Sequence, residues 1–194
     1  MHYLKIINTL KEKTDNVILF HSGTGKDSIM LADLCSKNFK KVYCIFMYIV
    51  KDLEYENRYI NWTKKKYPNI EFIQTPHYAV YSFIKYGYLG IKKDTSQSKT
   101  TISKIDEKIR KKININWSIY GFKKIDGITR RLMLNSTENG IMYKTQKAYP
   151  LMDLKNSDVL NYIKENNLIT PFNYGTLKPS SGCDISTPEF LYYL

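Results

Sequence analysis

The feature that most constrains this chain is a change of period along it. Short unbroken apolar runs, Val17-Ile18-Leu19-Phe20 and then Val42 to Val50, flank a stretch in which Ile29, Leu31, Ala32, Leu34 and Cys35 return at helical spacing up to Asn38. A run without polar alternation suits a strand buried on both faces, and a helix between two such runs is the connection that parallel strands need. A further round follows, with Leu53, Ile60 and Tyr67 spaced along a helix over 52–67, a break at Pro68-Asn69, and a strand from Ile70 to Thr75. A leading helix over 3–13 carries Leu4, Ile7 and Leu10 on one face. Later in the chain the pattern predicts a basic helix over 102–112, a strand over 115–120, and a helix over 125–134 bearing Arg130 and Arg131. An amphipathic helix over 155–166 is capped by Asn156 or Ser157 and turns Val159, Tyr162 and Ile163 inward. These elements predict an α/β fold: a mostly parallel, doubly wound open sheet with helices on both faces and right-handed crossovers. One domain should cover residues 1–194, with an irregular tail from about 171. The stretch from Tyr86 to Thr101, with Gly87, Gly90 and a polar run, reads as a mobile surface loop over the site.

Composition narrows the function classes. Thirty Lys and Arg against 18 Asp and Glu give a formal charge of +12, a surface that attracts nucleotides, nucleic acid or acidic proteins. The joint abundance of Lys, Asn, Ile and Tyr also has a bland source in an AT-rich genome. The three cysteines, Cys35, Cys44 and Cys183, form no CxxC pair, which argues against a disulfide framework, zinc or an iron–sulfur cluster and for a reduced compartment. No apolar stretch approaches the roughly 20 residues that span a bilayer. The N-terminus shows no secretory leader. The expectation is a cytoplasmic protein with no membrane partner.

The chemistry concentrates in His21-Ser22-Gly23-Thr24-Gly25-Lys26-Asp27-Ser28, which follows a strand and opens a helix. The first turn of a helix presents unpaired N–H groups and partial positive charge to an anion. Gly23 and Gly25 let the backbone approach phosphate oxygens, Ser22, Thr24 and Ser28 add hydroxyls, and Lys26 adds charge. Asp27 is the unexpected member, because a carboxylate repels a phosphate unless it orients the loop or holds a divalent cation such as magnesium. A Walker A loop would have glycine and Ser or Thr where Phe20 and Asp27 stand, and GxGxxG would need a third glycine.

What remains resembles a PP-loop. Ser-Gly-Thr-Gly-Lys-Asp-Ser is similar to the Ser-Gly-Gly-x-Asp-Ser signature of ATP pyrophosphatases and of the phosphoadenosine phosphosulfate (PAPS) reductase family, and is one residue longer. Phe46 to Tyr55 resembles the segment where family members place adenine. Gly121-Phe122-Lys123-Lys124-Ile125-Asp126-Gly127-Ile128-Thr129-Arg130 resembles the reductase pattern Gly-x-Arg-x-x-Glu-Ser-x-x-Arg, with Lys123, Asp126 and Arg130 at its charged positions. The resemblance runs from about residue 17 to 183 and implies a Rossmann-like fold of the adenine nucleotide alpha hydrolase type.

In the ATP-pyrophosphatase branch the resemblance implies cleavage of ATP between its α and β phosphates, with magnesium, to adenylate an acceptor. Lys26, Lys123 and Arg130 would then stabilise charge, and Asp27 would help hold the metal. In the reductase branch it implies PAPS or adenylyl sulfate (APS) as ligand, with Cys183 as the sulfur-attacking thiol and a thioredoxin-like protein as reductant. Two further classes stay open: a nucleotide-dependent modifier of nucleic acid, and a nucleotide-binding or structural protein without catalysis. Lys26→Ala and Asp27→Ala are expected to weaken ligand binding without unfolding the protein.

Overall fold

The computed structural model describes residues 2–171, 173–174 and 178–179. A helix, His2–Lys11 (α1), precedes the first strand, Asn16–His21 (β1), and Lys26–Asn38 (α2) follows the glycine-containing loop. Then come Lys41–Tyr48 (β2), Glu54–Lys66 (α3), Ile70–Pro76 (β3), Tyr78–Tyr86 (α4) and Ile102–Ile113 (α5). The second half adds Ser118–Ile119 (β4), Ile128–Asn135 (α6), Ile141–Met142 (β5), Lys147–Ala148 (β6) and Asn156–Glu165 (α7). In the tail, expected to be irregular, Asn173–Tyr174 (β7) and Lys178–Pro179 (β8) pair antiparallel.

Six strands form one sheet in the order β3-β2-β1-β4-β6-β5. All neighbours are parallel except β5, which runs antiparallel to β6 at the edge. With its flanking helices this is the doubly wound α/β fold read from the alternation of apolar runs. β1 sits at its centre, and Val17, Ile18 and Leu19 are fully buried because both faces of the strand are covered. Its register against β2 pairs Val17 with Val42 and Leu19 with Cys44, so two apolar runs lie side by side.

The strand order decides where a ligand can sit. The chain winds from β1 outward through β2 and β3, then returns to place β4 on the other side of β1. The crevice beyond the carboxyl ends of the strands, at this reversal, is the usual ligand position in an open parallel sheet. The loop after β1 and the segment after β4 face each other across it.

Buried polar anchors hold the helices around that crevice. Asp33 on α2, only 1% exposed, accepts hydrogen bonds from Tyr67 Oη (2.8 Å), Tyr162 Oη (2.5 Å) and Lys37 Nζ (2.6 Å), and the two tyrosines join α2 to the end of α3 and to α7. Burial, and then hydrogen bonding to Asp33, pushes both tyrosine hydroxyls well above their usual range. On the other side Arg110 of α5 donates to Asp106 (2.9 Å), Ser118 (3.0 Å) and the carbonyls of Thr145 (2.9 Å) and Gln146 (3.0 Å). That fan of bonds fixes α5 against β4 and the approach to β6.

Several boundaries differ from the sequence expectation, each for a local reason. The helix foreseen over 125–134 is split: residues Lys124–Asp126 form a 3-10 turn, and Gly127, at φ 146°, separates it from α6. The last helix is capped by Lys155 rather than Asn156 or Ser157, because the Asp158 carboxylate accepts the Lys155 N–H at 2.8 Å. The stretch 86–101, expected to be mobile, folds back on α4. Asp94 N–H donates to the Ile84 carbonyl (2.9 Å) and Lys85 Nζ to that of Gln97 (3.2 Å). No helix among the described residues is long and apolar enough to cross a membrane.

Candidate functional site

A cleft of about 550 Å³ opens at the switch point. The ends of four parallel strands reach it through His21, Met47, His77 and Gly121. From the loop after β1, Ser22, Gly25, Asp27 and Ser28 line it. From the segment after β4 come Phe122, Ile125, Asp126 and Arg130, and Ile102 and Asn156 come from the starts of α5 and α7.

The loop is held open by its own hydrogen bonds. His21 is buried, and its Nδ1 accepts the Gly23 N–H at 2.9 Å. Gly23 adopts φ +75°, and a Cβ there would meet the Phe46 ring at 3.0 Å, so the turn needs glycine. Ser28 Oγ accepts the Ser22 N–H at 2.9 Å, and the two hydroxyls are 3.0 Å apart. Thr24 N–H donates to the Ser22 carbonyl at 3.0 Å. The amides of Ser22, Gly23 and Thr24 are therefore spent inside the loop. Gly25 offers no side chain to cap α2, which leaves the first-turn N–H groups of Lys26, Asp27 and Ser28 for an anion. The sequence alone did not say which amides would be available.

The charged residues are arranged differently from the expectation that all the cations face the ligand. Lys123, 1% exposed, places Nζ 2.6 Å from Asp27 Oδ2 and 3.4 Å from Asp126 Oδ1. Lys26, 3% exposed, reaches the same Asp27 oxygen at 3.2 Å. Neither lysine lines the cleft. Together they neutralise the carboxylate that would otherwise repel a phosphate, so Asp27 is a keystone between two buried ammonium groups. Its Oδ2 is taken by them, and only Oδ1 remains for anything else. The Asp126 carboxylate also accepts the Lys123 backbone N–H at 2.8 Å, which fixes the turn that carries Lys123 inward.

Arg130 is the cation that does face the cleft. Its guanidinium lies 3.4 Å over the ring of Phe122. Phe122 itself continues a stack of Phe20 on Tyr120 (4.6 Å between centroids) and Tyr120 against Phe122 (5.2 Å). This aromatic wall went unread in the sequence, although Phe122 lies within the motif that flagged Arg130. Met47, His77 and Ile102 were also missed, because only the parallel register brings strand ends together. Gly121 is close-packed on α2, where a Cβ would touch that of Asp27 at 3.3 Å.

Among the described residues, three buried polar atoms around the loop lack a hydrogen-bond partner: His21 Nε2, Thr24 Oγ1 and Asp27 Oδ1. Unpaired buried groups are costly, and their concentration at one loop marks it as built for something beyond packing. Burial holds the His21 imidazole neutral, pushing its pKa down to about 3, and lowers that of His77 as well. His77 caps α4 by accepting the Ala79 N–H at 3.2 Å.

Residues 16–186 match the model of the phosphoadenosine phosphosulfate reductase domain. The chain belongs to that family. This agrees with the PP-loop resemblance and with the order of its motifs. No curated protein sequence matches the chain. Three solved structures share the family fold at low identity. The NH3-dependent NAD synthetase of Campylobacter jejuni has a TM-score of 0.57 and 17% identity over 86% of this chain and 72% of its own. The NMN synthetase of Francisella tularensis has a TM-score of 0.53 and 14% identity, covering 87% of this chain and 70% of its own. The U34-tRNA thiolase NcsA of Methanococcus maripaludis, solved with its [4Fe-4S] cluster, has a TM-score of 0.50 and 18% identity, covering 90% and 68%.

That thiolase corrects the cofactor expectation. Cysteine spacing argued against an iron–sulfur cluster, yet a protein of the same fold carries one, so the exclusion does not stand. Cluster thiolates can also come together in space from segments distant in sequence, and spacing records only ligands that are neighbours along the chain. Of the cysteines here, Cys35 and Cys44 are buried in the core, with thiols pushed well above their usual range by burial. Cys183, the expected reductase thiol, lies outside the described residues.

Proposed function

We propose that the cleft binds ATP and that the protein splits it between the α and β phosphates, adenylating an acceptor and releasing pyrophosphate. The observation that carries this reading is the uncapped start of α2, whose first-turn amides open onto the cleft beside a carboxylate already neutralised by Lys26 and Lys123. In the step proposed, an acceptor oxygen attacks the α-phosphorus, the bond to the bridging oxygen breaks, and the electron pair leaves with pyrophosphate. Amides at the head of α2 and the hydroxyl of Ser28 hold the departing phosphates, while Arg130, fixed on Phe122, meets charge at the opposite wall. Such a site works by positioning and by fixed dipoles, without a nucleophile of its own.

Calorimetry with ATP, AMP and adenosine tests this reading, since affinity should fall with each loss of phosphate. Arg130→Gln should weaken ATP binding about tenfold, in the range of one charge-assisted contact, with no change in melting temperature. Equal affinity for adenosine and ATP would sink the assignment. The family match supports a second ligand, a sulfonucleotide, in the same cleft. Tighter binding of PAPS than of ATP, with thiol-dependent sulfite release abolished in Cys183→Ser, would replace adenylation by that chemistry.

A further inference from the structure

The segment 78–101 leaves the cleft at His77 and returns to it at Ile102, and both residues line it. Its composition is unusual for an insertion. α4 reads Tyr-Ala-Val-Tyr-Ser-Phe-Ile-Lys-Tyr, yet none of its residues is buried. An apolar helix that buries nothing fully leaves part of its apolar surface in contact with solvent. Tyr78, Tyr86 and Tyr88 stand 39%, 41% and 55% exposed. The rings of Tyr86 and Tyr88 lie 5.6 Å apart at 36°, and Lys99 Nζ sits 4.9 Å over the Tyr86 ring. Lys92, Lys93 and Lys99 are exposed along the same segment, against one acid, Asp94, which is engaged by Ser96 N–H at 2.9 Å. The surface thus offers aromatic faces interleaved with ammonium groups on a segment whose two flanking residues line the cleft.

We propose that residues 78–101 bind a single-stranded polynucleotide. Charge selects a polyanion, and tyrosine faces select a ligand with planar groups that are not already stacked on one another, which excludes duplex as the preferred form. The backbone of the segment is organised for this: Gly87, at φ +72°, ends α4 and turns the chain so that residues after it run back along the helix. The lysines and tyrosines are thereby brought onto one local unit. The binding is independent of what the cleft holds, so this proposal and the ATP reading stand or fall separately.

The test is fluorescence anisotropy of a labelled 20-nucleotide single-stranded RNA, titrated with the full chain at several salt concentrations. Wild-type protein should bind, with log affinity falling linearly against log salt. Lys92→Glu/Lys93→Glu/Lys99→Glu should weaken binding at least tenfold and flatten that slope by about two, close to 0.7 for each phosphate no longer neutralised. Tyr86→Ala/Tyr88→Ala should weaken it about tenfold or more and leave the slope unchanged, because stacking is not an ionic term. Tyr88→Ala alone, at the most exposed ring of the segment, gives the same direction with the sequence of α4 unchanged. A matched duplex should bind more weakly, and ATP affinity should be unaffected in every variant. Three results would overturn the proposal. They are no binding at low salt, equal weakening by Lys5→Glu/Lys11→Glu on α1, or self-association through α4 that the tyrosine variants abolish while RNA binding is unchanged.

Discussion

The loop after β1 lines the cleft, the segment 78–101 leaves and rejoins it at His77 and Ile102, and the two are built on opposite principles. In residues 21–28 the shape is fixed from within, by His21 to Gly23, Ser28 to Ser22 and Asp27 to two buried lysines, and the groups left over are the first-turn amides of α2. In 78–101 the helix buries nothing fully, and Tyr78, Tyr86, Tyr88, Lys92, Lys93 and Lys99 are exposed. The first can hold a small anion in one geometry, at the expense of tolerance to substitution. The second can meet a larger and less regular partner, and should accept mutation without loss of fold.

Variants that attack this contrast should therefore divide by stability. The largest effect is expected for Asp27→Ala, which strands Lys26 and Lys123 as buried charges. Destabilisation of about 3–5 kcal/mol, read by urea denaturation, is the scale for breaking a buried pair. This replaces the sequence expectation that such a change would spare the fold. An effect below about 1 kcal/mol would mean that Asp27 is no keystone of the loop.

Next comes acid. The buried His21 has a folded pKa near 3 against about 6.5 when unfolded, so the unfolded state binds the extra proton. Its contribution is fully present above pH 6.5 and is lost as pH falls toward 3. By pH 4 the loss should be about 3 kcal/mol, the scale of a shift of more than two pK units. His21→Asn keeps an acceptor for the Gly23 N–H and should remove that share of the acid sensitivity. Identical pH profiles for variant and wild type in denaturant titrations would refute it.

Gly23→Ala should cost about 1–2 kcal/mol, because φ +75° disfavours a Cβ and Phe46 stands 3.0 Å away. The smallest effect belongs to the other region: Tyr88→Ala should change stability by no more than about 0.5 kcal/mol. A large loss there would show that the exposed segment is structural after all.

The sequence made the first half of the fold legible. The ends of β1, α2, β2, α3 and β3 fall within three residues of the periodicity expectation, because each is long enough to show its period and its neighbours bury it. α4 was not foreseen, since an apolar helix that stays half-exposed gives no clean alternation of faces. β5 and β6, at two residues each, carry no period at all. Of the candidate site, Ser22, Gly25, Asp27, Ser28 and Arg130 line the cleft, whereas Gly23, Thr24, Lys26 and Lys123 stand behind it. Sequence gives the identity of a charge but not its direction. That Lys123 points at Asp27, and not at a ligand, depends on a turn fixed by the Asp126 carboxylate.

The Asp33 anchor bears on how the site can respond to what it binds. Two phenol groups, one from α7 and one from the end of α3, bond to Asp33 and tie α2 to both neighbours. The opposite bank is anchored more sparingly: Gly127, at φ 146°, precedes α6, which fully buries only Leu134 and leaves Ile128 and Leu132 facing solvent at 75% and 67% exposure. The two walls of the crevice thus rest on unequal foundations, the amide-bearing one deep in the core and the Arg130-bearing one close to solvent.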